Sequence, residues 1–255
     1  MDLHFKEFGQ GRAVILLHGL FGSADNWHPI ALRLAESFQV FAVDQRNHGQ
    51  SPHSDEMNYP LMAADVNEFM AARGLESAAV IGHSMGGKTA MQFALQFPQR
   101  VEKLIVADMA PRAYAPAHEK IFAAQLALDL KSFSTRPQIE DALAPEIPDL
   151  VLRRFLLKNL GRNSGGVFFW KINLGGISEN YLRLREPVSA AAPFAKPALF
   201  IRGGKSNYIK PEDERLIGEL FPLAKIRTIA EAGHWVHADA PKEFFRLASD
   251  FLHAA

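Results

Sequence analysis

The chain has 255 residues, 48% of them hydrophobic and 22% charged, the profile of one globular domain large enough to bury both faces of a sheet. Its 28 Lys and Arg balance its 28 Asp and Glu, so nothing argues for nucleic acid or an anionic membrane as a partner. With no cysteine, a disulfide scaffold, thiolate metal sites and a cysteine nucleophile are excluded. Met1 runs directly into Asp2-Leu3-His4-Phe5-Lys6, without the basic start and apolar core of a signal peptide, and no apolar run reaches the roughly 18 residues of a membrane span. A cytoplasmic enzyme, monomer or homodimer, is the expectation.

In chain order, Leu3 to Phe8 alternates apolar and polar, as in an edge strand or hairpin arm. Ala13 to Leu17 is a continuous apolar run that suits a parallel strand buried on both faces. It ends at His18-Gly19-Leu20-Phe21-Gly22, after which Ser23 or Asp25 can cap a helix carrying Trp27, Ile30 and Leu34. Phe38 to Val43 is the next strand, closing on Asp44-Gln45-Arg46-Asn47-His48-Gly49-Gln50-Ser51. A helix with Leu61, Ala64, Asp65 and Phe69 leads to the strand at Ala78 to Gly82, and Val101 to Ala107 is a further strand ending at Asp108. Repeated strand–helix alternation implies a parallel sheet covered on both sides.

From Pro111 to about Ala195 the rhythm changes. Helical patterns near His118 to Leu130, Ile139 to Leu143 and Leu150 to Leu160 replace strands, and no strand-like run is convincing. The expected division is therefore a core at 1–110 and 196–255 with a helical lid, 111–195, inserted between two of its strands. Alternation resumes with Pro197 to Ile201, a helix from Pro211 to about Phe221, a strand at Lys225 to Ile229 and a last helix from Pro241 to about Leu252.

Gly82-His83-Ser84-Met85-Gly86 falls between a strand and a helix that stops at Pro98. Gly-x-Ser-x-Gly is short enough to arise by chance, but at a strand-to-helix junction it is the nucleophile-elbow pattern. The glycines allow a sharp turn that lifts the Ser84 hydroxyl clear of the sheet, and the following helix directs unpaired N–H groups at a developing oxyanion. Serine needs an imidazole to take its proton. Of ten histidines, His234 lies just past the last strand, on the rim where loops beyond the carboxyl ends of parallel strands form the ligand crevice. His83 and His237 read as structural. His18-Gly19-Leu20-Phe21-Gly22 matches an oxyanion loop, with the N–H of Leu20 facing the same spot as that of Met85.

The acid that orients His234 departs from the common order. The loop after Ile201 reads Arg202-Gly203-Gly204-Lys205-Ser206-Asn207-Tyr208, with Ser206 where an Asp is usual. Glu212 and Asp213 fall in the following helix. Asp108 closes the strand beside the elbow strand on the same rim and is the expected acid, with Ser206 as a second hydrogen-bond partner of His234. Phe21, Trp27, Leu126 and Trp170 are expected to line an acyl pocket, from aromatic and apolar content alone. The Arg46-Asn47-His48-Gly49 cluster either binds substrate or braces the active-site loops.

These separated motifs, in order along essentially the whole chain, resemble the α/β-hydrolase superfamily, and within it the YbfF-type esterases. The resemblance rests on Leu17 to Ser23, Asp44 to Ser51, Gly82 to Lys88, Ala107 to Pro111 and Gly233-His234. It implies an α/β-hydrolase fold and a serine esterase for short- to medium-chain acyl esters or acyl-CoA thioesters. It also implies the shifted acid at Asp108 with Ser206 beside the base, and neither cofactor nor metal. A carbon–carbon bond hydrolase or a lyase on the same scaffold would use the same serine and histidine but usually keeps the acid missing after Ile201. A dehalogenase would need a carboxylate in place of Ser84. A non-catalytic ligand receptor would bind without turnover.

Overall fold

The computed structural model describes residues 1–254. Its strands are β1 (Phe5–Phe8), β2 (Ala13–Leu17), β3 (Gln39–Val43), β4 (Ala78–His83), β5 (Val101–Ala107), β6 (Leu160–Arg162), β7 (Phe168–Trp170), β8 (Ala198–Gly203) and β9 (Ala224–Ile229). Seven of them form one sheet in the order β1-β3-β2-β4-β5-β8-β9. Only β1 runs antiparallel, pairing Phe5 with Val43 at the edge; every other neighbouring pair is parallel. This is an α/β-hydrolase fold.

The helices are α1 (His28–Leu34), α2 (Tyr59–Ala72), α3 (Met85–Gln96), α4 (Glu119–Leu126), α5 (Arg136–Leu143), α6 (Leu150–Leu157), α7 (Leu174–Glu179), α8 (Tyr181–Leu184), α9 (Asp213–Leu220), α10 (Val236–Asp239) and α11 (Pro241–His253). The apolar run of β2 shows why a central strand needs no polar alternation. Ile15 and Leu17 join Phe69 of α2 and Phe93 of α3 on one face, while Val14 and Leu16 join Ile30 of α1 and Phe244 of α11 on the other. Side chains alternate across the strand, and both faces are dry. Ser23 caps the turn leading into α1, its N–H donating to Asn26 Oδ1 at 2.7 Å.

Between β5 and β8 the chain builds a third apolar cluster over the carboxyl ends of the strands, around Phe122, Ile139, Leu156, Ile177 and Tyr181. The segment is not purely helical. β6 and β7 form a hairpin across the Asn163 to Gly166 turn, and α7 and α8 fall in a stretch whose sequence carries no clear helical period. Strands of three residues are too short to show a convincing alternation, which is why the expectation of no strand here is corrected.

Candidate active site

β4 delivers Ser84 and β5 delivers Asp108 at neighbouring strand ends. Ser84 N–H donates to the Ala107 carbonyl at 3.2 Å, and Asp108 N–H to that of Ile201 at 2.9 Å. Both residues leave the sheet with left-handed backbones, Ser84 at φ 53° and Asp108 at φ 48°, conformations that side-chain-bearing residues adopt at a cost and that cluster at functional sites. The sharp turn depends on close backbone approach. A Cβ on Gly82 would lie 2.1 Å from the Gly86 carbonyl oxygen, and one on Gly86 would lie 2.2 Å from that of Leu17.

His234 bridges the two. Its Nε2 lies 2.9 Å from Ser84 Oγ and its Nδ1 2.8 Å from Asp108 Oδ2. With the carboxylate as acceptor, Nδ1 carries the proton and Nε2 is free to accept the serine proton. The imidazole is fixed in place by two further contacts. Tyr208 stacks on it with ring centres 3.6 Å apart and planes 14° apart, and His83 Nε2 donates to the His234 carbonyl at 2.9 Å. Burial lowers the His83 pKa well below its ordinary value, so this ring stays neutral and keeps its donor.

Asp108 is fully buried, with Oδ1 accepting from the Gly203 N–H at 2.9 Å. Ser206 does not bond His234 as expected; its hydroxyl donates to Asp108 Oδ2, the oxygen that also faces the imidazole. The serine at this loop position thus orients the carboxylate, which now arrives from the adjacent strand. Asp213 is engaged elsewhere, in a 2.9 Å ion pair with Arg112.

Leu20 lies beside Ser84 on the wall of the same cavities. Among the described residues the Leu20 N–H has no backbone acceptor, and Met85 opens α3, where the first amide has no partner within the helix. Two unengaged donors therefore flank the nucleophile.

Ser84 sits where two cavities meet, one of about 520 Å³ and one of about 330 Å³. Leu20, Ala117, His118, Tyr208 and His234 border both. The smaller arm is bounded by Phe21, Ile121, Leu152, Phe155 and Trp235. The larger carries Lys88, Arg112, Arg185, Lys205 and Lys210 and no carboxylate on its wall. Arg112, Arg185 and Lys210 have acidic partners just outside the wall, whereas Lys88 and Lys205 have none among the described residues. Lys88, fully buried one turn beyond Ser84, donates to the Arg185 and Glu186 carbonyls at the end of α8; burial and then Arg112 draw its pKa down to about 7.

Of the four residues expected around an acyl pocket, Phe21 reaches the smaller cavity and three do not. Trp27 is fully buried behind the sheet, stacked on His237 at 4.4 Å and packed on Phe244. Leu126 is 51% exposed, because α4 turns Phe122, Ala124 and Gln125 inward and leaves it outside. Trp170 lies on β7, where alternation turns Phe168 and Trp170 onto the lid's apolar cluster and Phe169 outward. The Arg46 to Gly49 cluster braces the loops. Arg46 grips Asp65 through two bonds of 2.6 and 2.9 Å, and His48 Nε2 accepts the Phe21 N–H. Tyr208, Lys88 and Asn159, the last of which bonds the Phe21 carbonyl, escaped the sequence reading. Lys88 stands inside the elbow motif and Tyr208 two places after Ser206, so position alone was available as a signal for them.

A family model described as the alpha/beta hydrolase fold matches residues 12–138. The chain belongs to this family. It is 38% identical over 248 residues to the mouse protein named sn-1-specific diacylglycerol lipase ABHD11, covering 94% of this chain and 80% of that one. It is 36% identical to Esterase YbfF of Escherichia coli, covering 94% and 92% of the two chains. A solved structure titled as a marine microorganism esterase superposes with a TM-score of 0.96 at 46% identity, over 98% of this chain and 99% of that one. Among the described residues no helix is long and apolar enough to cross a membrane.

Proposed function

We propose that the protein is a serine esterase acting through an acyl-enzyme on Ser84. The observation that carries this reading is the unbroken hydrogen-bond line from Ser84 Oγ through His234 to Asp108 Oδ2. His234 takes the proton as Ser84 Oγ attacks the ester carbonyl, and the tetrahedral oxyanion is held by the Leu20 and Met85 N–H groups. His234 then gives that proton to the departing alcohol. A water attacks the acyl-enzyme with His234 again as base, releasing the acid and restoring Ser84. Asp108 holds the imidazole in the working tautomer and balances its charge when it is protonated, and Ser206 keeps that carboxylate in place. The relatives named as an esterase and a lipase support this chemistry.

The smaller arm, with Phe21, Ile121, Leu152, Phe155 and Trp235 on its wall and, among the described residues, no Lys, Arg or carboxylate, suits a short- to medium-chain acyl group, and both cavities fall in the size range of ligand pockets. The basic wall of the larger arm favours a second reading within the same mechanism, in which the leaving group is anionic, as in an acyl-CoA thioester. Hydrolysis of p-nitrophenyl esters of increasing acyl length, beside the matching acyl-CoA thioesters, separates the two. A neutral-ester enzyme turns over the p-nitrophenyl series with a chain-length optimum and has lower kcat/KM on the thioesters; the reverse order selects the anionic leaving group. No turnover of either, with folded protein, leaves a carbon–carbon bond hydrolase or a ligand receptor as the better reading.

A further inference from the structure

The loop carrying Leu20 is clamped by two buried side chains remote in sequence. Gly19 to Gly22 forms a tight turn closed by the Gly22 N–H on the Gly19 carbonyl at 2.9 Å. Its third residue, Phe21, has φ 61°, a left-handed conformation unfavourable for a side-chain-bearing residue. Such a turn needs outside support to persist. Both polar backbone groups of Phe21 receive it. The N–H donates to His48 Nε2 at 3.3 Å, and the carbonyl accepts from Asn159 Nδ2 at 2.7 Å. His48 Nδ1 faces the Arg46 carbonyl at 3.0 Å, so it carries the ring proton and leaves Nε2 as the acceptor.

Asn159 belongs to the lid, just before β6, and reaches back 138 residues to make this bond. It is buried, and its own carbonyl accepts the Lys171 N–H at 2.8 Å, tying it across the hairpin. The Phe21 ring is held from the lid as well, with its centre 5.0 Å from that of Phe122.

We propose that Asn159 is a positioning residue of the oxyanion hole, holding the Phe21 carbonyl so that the strained Gly19–Gly22 turn keeps the Leu20 N–H directed at the space beside Ser84. The lid then does more than cover the site: it completes the geometry of one of the two oxyanion donors. This rests on the acyl-transfer reading above and extends it to a residue outside the sheet loops.

The test compares wild type with Asn159→Asp, which keeps the shape but turns a carboxylate oxygen towards the Phe21 carbonyl. Fluorophosphonate titration counts competent Ser84 in each sample, so that rates refer to folded enzyme. An uncharged trifluoromethyl ketone, whose hemiketal on Ser84 bears an oxyanion, and the neutral alcohol product, which bears none, are the probes. The variant is expected to bind the ketone about tenfold more weakly and to lose kcat by a similar factor, with KM and alcohol affinity within about twofold. Asn159→Ala gives the same comparison without an added charge, should the carboxylate lower the Tm. Unchanged ketone affinity and kcat per titrated site in either folded variant overturn the proposal, as does a parallel weakening of ketone and alcohol. Failure of the fluorophosphonate to label the wild type at Ser84 is a separate result, which removes the acyl-transfer reading itself.

Discussion

His234 has contacts on every side that a general base needs: an acceptor at Nδ1, the nucleophile at Nε2, Tyr208 on its face and a donor on its carbonyl. If Asp108 sets the tautomer, Asp108→Asn lowers kcat by about 10⁴. Asp213→Asn, which touches only Arg112 and its own helix start, leaves kcat within about an order of magnitude because it changes no contact to His234. Ser206→Ala removes one hydrogen bond to Asp108 and costs about 1–2 kcal/mol in activation free energy, read as kcat. At this scale the sequence was most legible where chemistry demands a motif. Gly82 and Gly86 announce a turn because a Cβ at either would run into backbone, with the nucleophile Ser84 between them, and Asp108 is identifiable because a strand end on the right rim is a fixed address. Which way an aromatic ring points has no such local signature. Trp27 and Trp170 both pack into cores that are assembled from distant elements, so their placement was not legible.

The elements of the sheet were readable from apolar runs and helical periods, with ends moved by a residue or two. The lid was readable only as a change of rhythm, because its helices are short and its hairpin strands shorter still. Its own apolar cluster explains how such short pieces hold together. Phe122, almost wholly buried, packs on Phe21 and Tyr181, with ring centres 5.0 and 5.2 Å away. Phe122→Ala is expected to cost about 3–5 kcal/mol, measured by urea unfolding, and to reduce activity by loosening the oxyanion loop beneath it. Leu126→Ala, on the outer side of the same helix, should change stability by no more than about 0.5 kcal/mol and leave kcat/KM intact. Equal effects from the two would contradict the packing described for α4.

For the whole molecule, a consequence of the buried polar network is acid sensitivity. Burial, with neighbouring histidines adding to it, holds the imidazoles of His48 and His237 down to about 3, and burial lowers His18 and His83 too. In the unfolded chain these groups take up protons near pH 6.5. Between about pH 6.5 and about 3 the unfolded state therefore binds more protons than the folded one, and stability falls as the pH falls through that window. His237→Phe keeps the packing on Trp27 and Phe244 while deleting one such group. The stability lost between pH 7 and pH 5, from urea unfolding, should shrink by about 2 kcal/mol relative to wild type. An unchanged loss would mean that His237 does not resist protonation in the folded state. A sheet that gathers the carboxyl ends of six parallel strands on one rim, with the lid laid over that rim, concentrates these histidines and the nucleophile together. The most direct measurement of what that assembly does is to quench the enzyme in acid during turnover of a p-nitrophenyl ester and weigh the peptide containing Ser84. An added acyl mass on that peptide, absent in Ser84→Ala together with all turnover, is the expected result. Undiminished turnover in Ser84→Ala, or the acyl group on another residue, would contradict it.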